Sequence, residues 1–196
     1  MAGDVPLQAD EDEPGDQGQV LDKGAEMLGM FHDHAVKSLD GMVVESVEAP
    51  FSVSLTDPDT GVELEERLVG ALDLVLKKGR RHQVVEFKTS ARKYGEDQIR
   101  YDIQPTAYRL AAKGMGLGKV KVTYTIISKA RAPQLQVVDL DRNEEDEEEF
   151  QRVAVNVLRA VDAGAFPPVR GWQCRSCPHA HLCRPARSKS VVEGVK

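Results

Sequence analysis

The stretch LVGALDLVLKKGRRHQVVEFKTS, residues 68–90, sets one acid inside each of two apolar runs: Asp73 in the first and Glu86 in the second. A carboxylate taken out of water costs several kcal/mol unless it is paired or bound to a metal, so any fold of this chain has to compensate both. Between the runs lies KKGRRH, where a two-residue loop Gly79-Arg80 puts glycine at the position of a type II′ hairpin turn that needs a positive φ. If Lys78 pairs with Arg81, counting back along one strand and forward along the other sets Asp73 opposite Glu86, with Cβ atoms roughly 5 Å apart on one face. Lys88 lies two residues beyond Glu86, and strand alternation gives it that same face.

Two like charges so placed repel, and a divalent cation between them reverses the sign; hard carboxylate oxygens suit Mg2+ or Mn2+. Asp followed by Glu-x-Lys on the next strand is a compact arrangement for hydrolysing phosphodiesters. The cation acts as a Lewis acid and lowers the pKa of its water, while the lysine orients that water or stabilises charge growing at phosphorus. The competing reading leaves both acids in solvent at a strand end, or joins Glu86 to Lys88 in an exposed pair on an edge strand, which contributes little. The apolar neighbours GALDLVL and VVEFK favour central strands.

The remaining pattern is α/β. Residues 1–18 contain too little apolar surface to offset ordering and read as an acidic disordered tail. From Gln19 to Asp40 apolar residues fall at helical spacing, ending near Gly41. Val43 to Leu55 alternates as a strand, TDPDTG turns the chain, and a second strand runs from about Leu64 to Lys77, with Gln83–Thr89 as the third. Glu96 to Lys113 is helical, with Pro105 marking a start near Ile103 and GEDQIRYD a separate turn. Lys119–Ser128 and Leu135–Leu140 read as two more strands. Asn143 then caps a last helix with an exposed acidic first turn and Val153, Val157, Leu158 and Val161 facing inward.

The net charge of −6 hides an uneven distribution. Outside residues 1–22 and 141–149 the chain carries 18 acids against 25 Lys and Arg, so its body is basic. Lys77, Lys78, Arg80, Arg81, Lys88, Arg92 and Lys93 surround the two acids, either as a solvated face or as a phosphate-binding surface. No apolar stretch approaches the roughly 20 residues of a membrane span, and the acidic start lacks a signal-peptide pattern, so the expected location is cytoplasmic. Three cysteines crowded into residues 174–183 suit a reducing compartment.

GALD, EFKT and QPTAY, in that order, resemble the GxxD, (D/E)xK and QxxxY motifs of the PD-(D/E)XK nuclease superfamily, and specifically its RecB-like branch with its AddB and CRISPR-associated members. The likeness runs from about Gly29 to Cys183. It implies a mixed central β-sheet flanked by helices, with a nuclease core at 19–165, a Cys-rich metal-cluster segment closing on it at 166–187, and a tail at 188–196. It also implies that Asp73 and Glu86 bind the catalytic metal with the Phe87 carbonyl, that Lys88 acts on the nucleophilic water, and that a histidine on the upstream helix is a further ligand. His32 and His34 are the two candidates. They point about 200° apart on a helix, so one at most serves, and His32 at the margin of the apolar stripe is favoured. Gln104 and Tyr108, four apart on one helical face, are expected to touch the nucleic-acid strand or to order the site.

WQCRSCPHAHLC carries Cys174, Cys177 and Cys183 with the spacing by which several RecB-like proteins close an iron–sulfur cluster. A [4Fe–4S] cluster takes four thiolates; with three, His179 or His181 is a candidate fourth ligand, which also admits zinc. The expected activity is Mg2+- or Mn2+-dependent cleavage of DNA, exonucleolytic on single strands or ends, in repair, recombination or phage-type processing, with a helicase or recombination protein as partner. The alternative is a noncatalytic nucleic-acid-binding subunit that retains the fold. Removing Asp73, Glu86 or Lys88 is expected to abolish cleavage and leave folding largely intact.

Overall fold

Gly79 has a φ of +61°, as the hairpin demands, and Lys78 pairs with Arg81 across it. In the computed structural model, which describes residues 17–39, 41–165 and 167–183, this hairpin joins the second and third strands of a five-stranded sheet. The elements are α1 (Gln17–Ser38), β1 (Val43–Thr56), β2 (Glu63–Lys78), β3 (Arg81–Ser90), α2 (Glu96–Arg100), α3 (Gln104–Gly114), β4 (Val120–Ser128), β5 (Leu135–Leu140) and α4 (Glu144–Asp162). The strands lie in the order β1-β2-β3-β4-β5, with β3 and β4 parallel and the other neighbours antiparallel. The fold is therefore the expected α/β one with a mixed sheet. Of the predicted acidic tail, residues 1–16 lie outside the described residues, and 17 and 18 already belong to α1.

Helix–strand alternation follows from turn chemistry and periodicity. Parallel strands need a crossover, and residues 91–119 supply it with α2 and α3. Pro105 sits in the first turn of α3, where its missing N–H costs nothing. Tyr108, Ala111 and Ala112 of α3 pack on Phe51 and Val53 of β1, Leu72 and Val75 of β2, Val84 of β3 and Tyr124 and Ile126 of β4, forming the core. Phe31 of α1 meets Phe87 of β3 edge-to-face, with ring centroids 5.2 Å apart. Phe87 alternates with Glu86 and Lys88, so α1 lies on the sheet face opposite α3.

α4 corrects its expected phase. Of the four residues expected to face inward, Val153, Val157 and Val161 are exposed and Leu158 is half-buried, while Val155 and Glu147 are buried. Asn143 does cap the helix, exchanging hydrogen bonds with Asp146 (3.0 and 2.7 Å). The packed stripe joins Phe150, Ala154, Val155 and Leu158 with the polar Glu147 and Gln151, and exposed arginines flank it. Glu147 meets Arg109 at 2.8 Å, the Gln151 amide oxygen accepts the Thr56 N–H, and Arg152 and Arg159 reach Asp59 and Asp57. A pattern read from valines alone could not weigh these partners, and for the same reason the acidic run is not wholly solvated.

Asp57 opens the β1–β2 turn, where its carboxylate accepts the Asp59 N–H at 2.9 Å and the Arg159 guanidinium at 2.7 Å. The Asp59 backbone hydrogen bond and then the Arg159 charge hold its pKa below the usual aspartate range, against burial. A depressed folded pKa contributes stability that is fully present above the unfolded pKa and lost as pH falls through the folded one. Asp57→Asn is expected to lower the urea midpoint at neutral pH. The gap from wild type should close as pH falls below about 4.

The described residues from Ala160 onward group apart from the sheet domain. They include a 3-10 turn at Trp172–Arg175, which carries Cys174, and a short helix, α5 (Ala180–Cys183), which ends on Cys183; Cys177 lies between them. Among the described residues no helix is long and apolar enough to cross a membrane.

Candidate active site

β2 and β3 part at the two acids. Their ladder runs from Lys78↔Arg81 to Leu74↔Val85 and stops one step short of the expected Asp73–Glu86 pair. Beyond that point β2 continues along β1 and β3 continues along β4 to Ser90. At the fork Asp73 Oδ2 accepts the backbone N–H of Phe87 at 2.9 Å, so a side chain takes a place that a backbone partner would otherwise fill. Glu48 faces Asp73 in the β1–β2 register, between the pairs Val47↔Leu74 and Ala49↔Leu72, and has a φ of +48°. Left-handed backbone at a glutamate costs about 1 kcal/mol. It accompanies a slip in burial, in which both Leu72 and Val75 enter the core on either side of Asp73.

Glu86 is only 5% exposed, and the structure shows what compensates it. Lys88 Nζ lies 2.6 Å from its Oε1, the Gln104 amide donates to the same oxygen at 3.0 Å, and the Tyr108 hydroxyl donates to Oε2 at 2.6 Å. β3 is the third of five strands, so this ion pair is not the edge-strand surface pair considered above. Its low-dielectric setting, closed by hydrogen bonds, is what makes a buried charge tolerable.

Gln104 is the hub. Its amide nitrogen also donates to the Tyr108 oxygen at 2.6 Å, and its amide oxygen accepts Lys88 at 2.5 Å. Burial, then the hydrogen bond and charge of Glu86 and the charge of Asp73, push the Tyr108 pKa far above that of a free phenol. Tyr108 therefore remains a donor throughout the physiological range. Gln104 and Tyr108, read from sequence as contacts for a nucleic-acid strand or as ordering groups, are seen here ordering Glu86 and Lys88.

The donor set suits a hard divalent cation. A carboxylate has about four acceptor positions; donors occupy three at Glu86 and one at Asp73, so both keep free lone pairs. Among the described residues no three His, Cys, Asp or Glu side chains gather tightly enough to enclose an ion alone. α1 reaches β3 through Phe31, yet the His32 side chain is 76% exposed, with its ring 3.6 Å from Asp33, while His34 is half-buried. Cys174 and Cys177 are half-buried, Cys183 is exposed, and all three are free thiols. The Cys174 sulfur accepts the Gly171 N–H at 3.4 Å.

Two residues of this site escaped sequence reasoning. Asp102 accepts the Gln104 N–H at 2.9 Å and the Tyr124 hydroxyl at 2.9 Å. The fully buried Tyr124 ring lies beneath the Lys88 ammonium, 5.5 Å from nitrogen to centroid. Burial, followed by the Asp102 hydrogen bond and charge, raises the Tyr124 pKa well beyond the phenol range. A tyrosine inside the apolar strand VKVTYTIIS was the available signal, since its hydroxyl needs a partner.

A family model described as the PD-(D/E)XK nuclease superfamily matches residues 4–184. Curated proteins give no match. Among solved structures, the crystal structure of a provisionally assigned exonuclease from Eubacterium rectale superposes with a TM-score of 0.56 at 15% identity, covering 92% of this chain and 64% of that one. This chain thus spans somewhat under two thirds of that protein, and the likeness is one of fold. The crystal structure of SSO0001 superposes with a TM-score of 0.47 at 15% identity, covering 85% and 70%.

Proposed function

Because the chain belongs to the PD-(D/E)XK nuclease superfamily, we propose that it is a Mg2+- or Mn2+-dependent deoxyribonuclease of the RecB-like kind, acting exonucleolytically on single strands or DNA ends. The carrying observation is the fork between β2 and β3, where Asp73 bonds the Phe87 N–H while Gln104 and Tyr108 hold Glu86 and Lys88 together on β3.

In this reading Asp73, Glu86 and the Phe87 carbonyl hold the cation, and His32 or His34 of α1 completes the set. The cation supplies Lewis-acid stabilisation of the charge that builds on the scissile phosphate. The chain's own residues do the rest. The Lys88 ammonium, kept beside Glu86 and Gln104, orients the attacking water and meets negative charge developing at phosphorus. The water oxygen bonds to phosphorus, and the bridging ester oxygen leaves with a proton. Basic residues around the hairpin attract the backbone, an attraction that weakens with salt.

Cys174, Cys177 and Cys183 belong to the same proposal as ligands of a structural [4Fe–4S] cluster, with zinc as the alternative metal. Ligand capture and local folding are coupled at such sites, so the three thiols and a fourth ligand would be drawn together when the metal centre is bound. A brown anaerobic preparation containing iron and sulfide is expected. Colourless protein with stoichiometric zinc would reject iron–sulfur.

The activity is tested by incubating end-labelled single- and double-stranded DNA with the purified protein and Mn2+. Shortening of the labelled strands, absent with EDTA, is expected. Binding to DNA without any cleavage in Mg2+ or Mn2+ would instead make the chain a noncatalytic nucleic-acid-binding subunit.

A further inference from the structure

The Gln104 amide oxygen has two claimants. Lys88 Nζ takes it at 2.5 Å, and the Tyr124 hydroxyl oxygen lies 3.4 Å away. An amide oxygen can accept both, but a second donor draws it away from the first and weakens the hold on the ammonium, so what matters is where the hydroxyl points its proton. Asp102 decides this, because a carboxylate only accepts: one oxygen takes the Gln104 N–H and the other takes the Tyr124 proton, each at 2.9 Å. Asp102 is itself held on the α2–α3 link by Arg142, whose guanidinium donates to the carbonyls of Ile99 (2.8 Å), Arg100 (3.1 Å) and Asp102 (3.2 Å).

We propose that Asp102 is a positioning residue for the nuclease reaction: by drawing the Tyr124 proton to itself, it reserves the Gln104 amide oxygen for Lys88 and so fixes the ammonium beside Glu86. This rests on the nuclease reading above. It makes an unusual demand on mutants. In Asp102→Asn the amide oxygen must face the Gln104 N–H, which leaves the NH2 to donate to Tyr124. The Tyr124 proton then turns to Gln104 and competes with Lys88. Removing that hydroxyl removes the competitor, so Tyr124→Phe repairs the damage. A merely structural role predicts instead that the two losses add.

Single-turnover cleavage by wild type, Asp102→Asn, Tyr124→Phe and the double variant tests this. Asp102→Asn is expected to slow cleavage about tenfold with KM little changed, Tyr124→Phe by no more than about threefold, and the double variant to return to the Tyr124→Phe rate. A double variant as slow as Asp102→Asn, or slower, overturns the proposal, as does an Asp102→Asn variant with the wild-type rate. Asp102→Ala also frees the hydroxyl, so the same rescue is required of it should Asp102→Asn fold poorly. An independent reading comes from the 15N-lysine ammonium signal that Lys88→Met removes. Its protection from solvent exchange should fall in Asp102→Asn and recover in the double variant, and constant protection in all forms overturns the proposal. Wild-type protein that cleaves nothing would sink the nuclease reading alone, because the ammonium measurement still decides how Asp102 acts.

Discussion

Glu86→Gln is expected to reduce cleavage at least about a thousandfold, because it removes a charge that the proposed chemistry needs both for the cation and for Lys88. Glutamine is the informative substitution. It fills the same volume and still offers an oxygen to Lys88 and Gln104, with its NH2 turned to the Tyr108 oxygen, whereas alanine leaves both the ammonium and the Tyr108 hydroxyl without an acceptor. Breaking a buried pair from one side costs about 3 kcal/mol, so the sequence-based expectation that Glu86→Ala would fold almost normally does not fit the buried position of this carboxylate. Single-turnover rates in Mn2+, beside thermal melts of both variants, separate chemistry from stability. Cleavage by Glu86→Gln within about tenfold of wild type would take Glu86 out of the reaction.

The largest stability loss outside the site is expected at Glu147. Its carboxylate is 7% exposed and takes two bonds from Arg109, through Nε and Nη2, both at 2.8 Å, with Lys113 at 3.5 Å. Glu147→Ala strands a guanidinium that is itself only 17% exposed, at a cost of about 3 kcal/mol and a Tm lowered by roughly 10 °C. Glu147→Gln keeps an acceptor and should lose less. An unchanged Tm in Glu147→Ala, by differential scanning calorimetry, would mean that water or the Arg142 carbonyl, which Arg109 also contacts, already satisfies the arginine.

Much of this architecture was legible before any coordinates. Hairpin position, the alternation placing Glu86 and Lys88 together, Pro105 at a helix start and Asn143 as a cap are local matters, set by φ preferences, side-chain periodicity and capping chemistry within a few residues. The motif order pointed in the same way to the superfamily that the family model matches. The α4 face was misread in part because Glu147 and Gln151 share the packed stripe with Phe150, Ala154, Val155 and Leu158, and polar residues pack only when partners arrive from elsewhere. Arg109 lies 38 positions from Glu147, and Asp57 lies 102 from Arg159.

The sequence alone determined which residues bring charge into apolar strands, and therefore that compensation was required. Tertiary structure decided how it is met. Long-range packing of α3 against β3 and β4 brings Gln104, Tyr108, Asp102 and Tyr124 around one lysine and one glutamate, and the ladder between β2 and β3 ends one pair early, leaving Asp73 to bond backbone rather than face Glu86. No local rule predicts either outcome. Strand divergence and hydrogen-bond direction depend on contacts between segments far apart in the chain, whose joint geometry exists only once the core has closed.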